Sequence, residues 1–189
     1  MLIRIILTVL LCFITTLASA DAVDIGFNNE SFHLGYERPL VQDEFGVVTG
    51  TAGFLYNDDE DTTLGRVGAD FVGSPGQYPG VRLGMGLRFY GGSTAKNTDF
   101  INLALGLRAS YAPPQFGGFG IAGAVYHAPK VFSFRDADNL TQTEIALTYA
   151  MIPKVRLKLG YYNLRLKEDV LGRNWTIDEG LRIGFTGFF

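Results

Sequence analysis

The chain has 189 residues, 47 % of them hydrophobic and 19 % charged, with a net charge of −3, so it lacks the basic excess that nucleic-acid binding requires. A single cysteine excludes a disulfide framework and any cysteine-built metal centre. The 24 glycines, 15 phenylalanines and 9 tyrosines suit close-packed strands, and no segment carries a helical period.

In chain order, Met1 to Ala20 reads as a secretory signal. Arg4 provides the positive start, Ile5 to Leu17 the apolar run, and Ala18-Ser19-Ala20 the small-residue cleavage pattern before Asp21. The run is shorter than the roughly 20 residues of a spanning helix. Cys12 falls inside it behind Leu11, where a lipoprotein signal needs a small residue. The expected mature domain is 21–189, cysteine-free and one charge more negative once Arg4 is removed.

Beyond the signal, apolar residues recur at every second position, the spacing of strands with one greasy face. Val23, Ile25 and Phe27 lead through Asn28-Asn29-Glu30 to Phe32, Leu34 and Tyr36, and the change of parity across the asparagines predicts a hairpin. Pro39 to Glu44 reads as a connection, Phe45 to Tyr56 as a strand, and Asn57 to Asp61 as an acidic loop without the spaced oxygens of a calcium site. Val67 to Phe71 returns. After the turn Ser74 to Gly80, Val81 to Tyr90 and Ile101 to Tyr111 alternate most cleanly. Phe119 to His127, Glu144 to Met151 and Val155 to Tyr162 follow, separated by the connection Ala128 to Thr141 and the tight turn Ile152-Pro153-Lys154. Arg165 to Trp175 reads as a loop before the last strand, Gly180 to Phe189, which stops on an aromatic residue.

About ten strands result, with eight as the alternative count. An exposed hydrophobic terminal strand invites pairing with other chains, whereas a barrel closes its first strand on its last. With no membrane-length apolar run after Ala20, strands closed into a barrel are the one way this chain could cross lipid. The expected fold is therefore all-β, an antiparallel up-and-down transmembrane β-barrel of a Gram-negative outer membrane. Phe185 and Phe189 would serve as the assembly signal read by the barrel-assembly machinery, and outer-membrane lipid and lipopolysaccharide would be the surroundings. Phe71, Tyr111, Tyr149 and Phe189 would form one aromatic girdle, and Tyr56, Phe89, Phe100, Tyr161 and Trp175 the other. A soluble barrel with its apolar face inward would show the same periodicity. The glycines and arginines of the opposite face favour lipid outside, because small residues make room for long charged ones in a narrow lumen.

On that sidedness the lumen receives Asp24, Glu37, Asp70 and Glu144 with Arg66, Arg82, Arg88, Arg108, Arg156, Lys158 and Arg182. Buried charges need partners, so a structural salt-bridge core is expected, with a narrow anion-preferring pore as the sharper reading. No cofactor or metal site is expected. His33, four residues before Glu37, is read as a lumen hydrogen-bonder. A lipid-modifying enzyme would need a trio such as His127, Ser133 and Asp136, but no nucleophile elbow frames the serine, so a non-enzymatic role is expected. Binding through the extracellular loops is the other alternative.

The segment Tyr126-His127-Ala128-Pro129-Lys130-Val131-Phe132-Ser133-Phe134, the hairpin from Glu144 to Tyr162 with its Gly-Tyr pair, and the terminal strand resemble the YfaZ family of bacterial outer-membrane proteins. The resemblance implies an outer-membrane barrel and carries over no catalytic residue. Pro129 would end its strand, and Val131, Phe132 and Phe134 would fold the long loop over the barrel mouth.

Overall fold

The computed structural model describes residues 21–93, 99–135, 137–168 and 174–189. The signal segment and Asp136 lie outside the described residues. The strands are β1 (Ala22–Phe27), β2 (Ser31–Gln42), β3 (Val47–Asn57), β4 (Thr62–Gly73), β5 (Val81–Ser93), β6 (Asp99–Tyr111), β7 (Phe119–Ala128), the short β8 (Ser133–Arg135), β9 (Ala137–Ile152), β10 (Val155–Glu168) and β11 (Asn174–Phe188). Each neighbouring pair is antiparallel, β5 pairs with β6, and β1 pairs with β11 from Ala22↔Phe188 to Phe27↔Ile183. The sheet therefore closes on itself through ten strands as an up-and-down barrel. The eleventh, β8, extends the line of β7 along β6 beyond Pro129, pairing Ser133 to Arg135 with Asn102 to Phe100. A proline has no N–H to give the ladder, and the strand breaks there.

The ends of the barrel differ. One carries both termini and four tight connections. At the first, the Asp43 carboxylate accepts from the N–H groups of Phe45 and Gly46, both at 2.9 Å. Pro39 to Glu44 is thus not wholly a connection: β2 runs to Gln42, with Leu40 bulged out beside Pro39. At the other end the Asn28 side chain accepts from the N–H of Ser31 at 2.6 Å, closing the predicted hairpin. The strands of this far end run longer than the sequence pattern indicated. Most of Arg165 to Trp175 that is described belongs to β10 and β11, with Leu166 paired to Trp175, and Ala128 to Thr141 contains β8 and the start of β9.

Over most of the wall the apolar residues face out. Leu83, Leu105 and Leu159 are 52 %, 53 % and 53 % exposed, which excludes a soluble barrel with those residues at its centre. Toward the far end the pattern inverts. In β10, Leu157 and Leu159 point out while Arg156 and Lys158 point in. Seven residues on, Leu164 and Leu166 are buried inside the barrel while Arg165 is exposed. Leu55, Leu64, Phe100, Leu140 and Ile177 join them in one packed core with Tyr90, Tyr126 and Tyr162. Phe100 is thus no girdle residue: its even position on β6 turns it inward, and it is 1 % exposed. Val131 and Phe134 do not cover the mouth either. Both stand exposed on the rim, Phe134 beside Ile101, and the packed core occupies the far end.

Glycines decide how the interior fills. A Cβ at Gly106 would overlap the Tyr126 ring. Gly106→Val is expected to destabilise the barrel by at least about 2 kcal/mol, measured as a lowered urea midpoint for the refolded protein, because a fully buried ring has nowhere to move.

Candidate functional site

The site is the interior between that core and the termini, a cavity of about 250 Å³. All ten strands of the closed barrel contribute lining residues to it, β3 and β7 only small uncharged ones and the rest charged ones as well. Of the eleven charged residues that alternation turns inward, all but Asp70 line the cavity, and Asp70 is fully buried behind the lining.

Three clusters organise the charges. In the first, Asp70 on β4 accepts from Arg88 Nη2 at 3.0 Å, Arg108 Nη1 at 2.8 Å and Tyr126 Oη at 2.7 Å. The Arg88 guanidinium also lies over the Tyr126 ring, 3.7 Å from its centroid. Gly86 makes this possible, since a Cβ there would occupy the place of the Asp70 carboxylate. Arg108 reaches in the other direction to Glu37 at 3.5 Å.

The second cluster surrounds Asp24 on β1. Lys158 pairs with it, Thr186 Oγ1 donates to it at 2.7 Å, and His33 Nδ1 lies 3.5 Å away. The other nitrogen of His33 stands 2.6 Å from Arg66 Nη2. A guanidinium can only donate, so His33 Nε2 must accept, which leaves the proton on the nitrogen that faces Asp24. His33 is thus a lumen hydrogen-bonder, with Asp24 and Arg66 as partners in place of the Glu37 that its spacing suggested.

The third cluster is one that alternation did not single out. Asp178, 2 % exposed, pairs with Arg182 and accepts from Asn28 Nδ2 at 3.1 Å, Ser31 Oγ at 3.0 Å and Asn57 Nδ2 at 3.4 Å. It ties the far end of β11 to the β1–β2 hairpin and to the end of β3. Asn57 is therefore a buried strand residue and not part of an acidic loop. Nearby, Trp175 Nε1 donates to Glu60 at 2.6 Å. The signal is present in the sequence, because Asp178 shares the parity of Arg182, but it lies before Gly180, where the lipid-facing pattern of the strand begins.

Opposite charge does not reach every cation. Among the described residues, Arg66, Arg82 and Arg156 have no carboxylate within ion-pair distance, and Glu144 has no cation within it. Arg82 and Arg156 are exposed at the termini end of the cavity, where Arg156 also approaches the Phe188 ring at 5.3 Å. The cavity is thus a well with a basic mouth at the termini end and a packed floor toward the far end.

The candidate catalytic trio is not assembled among the described residues. His127 stands on the outer wall with Nδ1 at 2.9 Å from Thr141 Oγ1, and Ser133 Oγ donates to the Pro129 carbonyl at 3.1 Å. Phe185 faces out against Phe27, with centroids 6.1 Å apart, and the N–H of Phe189 donates to Asp21 at 2.9 Å, joining the two ends of the chain.

No family model and no curated protein matches this chain, so the YfaZ resemblance gains no support there. Solved structures do match. One is a chain from work on the in-meso crystallization of membrane proteins, 12 % identical, covering 90 % of this chain and 83 % of that one, with a TM-score of 0.48. Another is KdgM porin, 9 % identical, covering 91 % and 99 % respectively, with a TM-score of 0.47.

Asp70→Asn leaves two guanidiniums facing a neutral amide and should cost about 3–5 kcal/mol in folding stability. Glu37→Gln, at a half-exposed pair, should cost under about 1 kcal/mol. Urea titration of the two refolded variants side by side checks the contrast.

Proposed function

We propose that this chain is an integral outer-membrane barrel whose lumen is a structural lattice of charges, closed toward the far end and non-conducting at rest. The observation that carries the reading is the inversion of sidedness along the strands. On β6 the outward apolar set runs from Ile101 to Tyr111, ten residue steps apart. At about 3.3 Å a step and a tilt near 40° that is about 25 Å of height, the thickness of a lipid-facing band. Above it, Arg165 and Thr63 face out and Leu166 and Leu64 face in, as they would in water. Tyr56, Phe89 and Tyr161 stand exposed near the upper limit of the band and Phe71, Tyr111 and Tyr149 near the lower, at the levels two aromatic girdles would occupy.

In this reading the termini face the periplasm, Met1 to Ala20 is the export signal, lipid and lipopolysaccharide surround the band, and the terminal strand with Phe185 and Phe189 is what the assembly machinery reads. The role is non-enzymatic. One observation favours a narrow pore as the second reading: within the far-end core both polar atoms of the Asn102 side chain and Nε2 of Gln142 lack hydrogen-bond partners. Buried amides of that kind are normally satisfied, and a thread of water between them would connect the well to the far side.

Leu105→Arg should cost about 2–4 kcal/mol of folding stability in lipid bilayers, and Thr63→Arg, above the band, no more than about 0.5 kcal/mol. Equal costs would contradict a membrane position. In planar bilayers the purified protein should insert without discrete conductance steps; steady steps that vanish in Asn102→Leu would favour the pore.

A further inference from the structure

We propose that the well is a binding site for a small, soluble phosphate-bearing anion that enters from the termini end. This deepens the reading of the lumen as a blind charged cavity and rests on it. The argument begins from which cations are already engaged. Asp70 holds Arg88 and Arg108, Asp178 holds Arg182, and Asp24 holds Lys158. Each of those carboxylates is buried or half-buried and receives two or more donors, so none is free to turn toward another cation.

Among the described residues that line the well, three guanidiniums remain. Arg66 is half-buried and hydrogen-bonded to His33, while Arg82 and Arg156 are exposed on β5 and β10 and line the same cavity. Holding two like charges at one opening of low-dielectric walls is unfavourable unless something between them carries the opposite sign. The interior behind the mouth is lined by Ala122, Ala146, Gly160 and Gly184, which leave open volume where longer residues would have closed it. Around this space the charge balance favours an anion, since the lining carboxylates other than Glu144 are already paired with cations.

The arrangement selects phosphate over carboxylate. A carboxylate carries a single charge on two coplanar oxygens, whereas a phosphate group carries nearly two charges on oxygens that point in several directions, which matches two guanidiniums that have no carboxylate of their own. The opening lies on the barrel axis and not in the lipid-facing wall, so the source is a dissolved phosphate compound and not a bilayer headgroup. The floor of Tyr90, Tyr126 and Tyr162 stops such a ligand instead of passing it, so the expected behaviour is saturable binding.

The test uses the mature chain refolded in a neutral detergent at low salt, titrated by calorimetry with inorganic pyrophosphate and, separately, with acetate and with a short-chain phosphatidic acid. Pyrophosphate should bind at one site, weaken as salt is raised, and lose at least tenfold in affinity in the Arg82→Gln, Arg156→Gln double variant; acetate should not saturate. Both substitutions are at exposed positions, and an unchanged shift between unboiled and boiled samples on a gel verifies that the variant has folded. Absence of saturation up to about 10 mM pyrophosphate, or equal affinity in the double variant, overturns the proposal while leaving the barrel intact. Tighter binding of phosphatidic acid than of pyrophosphate overturns the soluble source. If the wild-type protein itself shows no heat-dependent shift, the barrel reading fails and the binding site fails with it.

Discussion

The constraint on which this structure depends is that one set of strands must satisfy two solvents. A closed antiparallel sheet satisfies its backbone anywhere, but its side chains must change allegiance where the surroundings change. Along β10 the exchange takes place between Tyr162 and Leu164: below, apolar residues point out and cations in; above, Leu164 and Leu166 point in and Arg165 points out. On β10 the alternation continues and the chemistry of the two faces is exchanged. On β11 a bulge at Ile177, between the pairs Leu164↔Asp178 and Arg165↔Thr176, shifts the register as well, so that Ile177 and Asp178 are both buried.

That swap creates two different interiors. The upper one resembles the core of a soluble barrel, where Leu55, Leu64, Phe100, Leu140 and Ile177 pack with three tyrosines. The lower one is held by charge. Desolvated ions stabilise a fold only when their partners are in place, and Asp70 meets that condition with two guanidiniums and a phenol. Glycine is the counterpart of each large group: Gly86 admits the carboxylate and Gly106 the ring. Tyr126 joins the two interiors, its ring in the packed core and its hydroxyl bonded to Asp70, while the Tyr90 hydroxyl bonds to Gln142 within the core.

The same arrangement frames the functional question. A barrel of ten strands is narrow, and here side chains pack its upper half and leave the cavity toward the termini. Of the described lumen guanidiniums without a carboxylate partner, Arg82 and Arg156 stand at the opening and Arg66 is half-buried beside His33. Charges buried for structure and charges displayed at the mouth are therefore separable by substitution, which gives access to the second set without dismantling the first.

Much of this was legible in the chain itself. Alternation from Val81 to Tyr90 and from Ile101 to Tyr111 marked strands, the parity change at Asn28 marked the hairpin, and the outward and inward sets of the lower barrel followed from position alone. The far half was not legible, because Leu140 and Leu166 place apolar residues on the inward parity and a bulge turns Ile177 inward, and stretches that break the pattern of an apolar outside and a polar inside look like loops. Phe100 lies near a strand end, where a girdle is expected, but its even parity turns it inward, and β11 begins earlier than its lipid-facing pattern does, which hides Asp178. Sequence by itself determined which residues share a face, since that is a local property of an extended backbone. Only the tertiary structure decided which face meets which solvent at each height, and which cation finds which carboxylate, because those depend on strands brought together from distant parts of the chain.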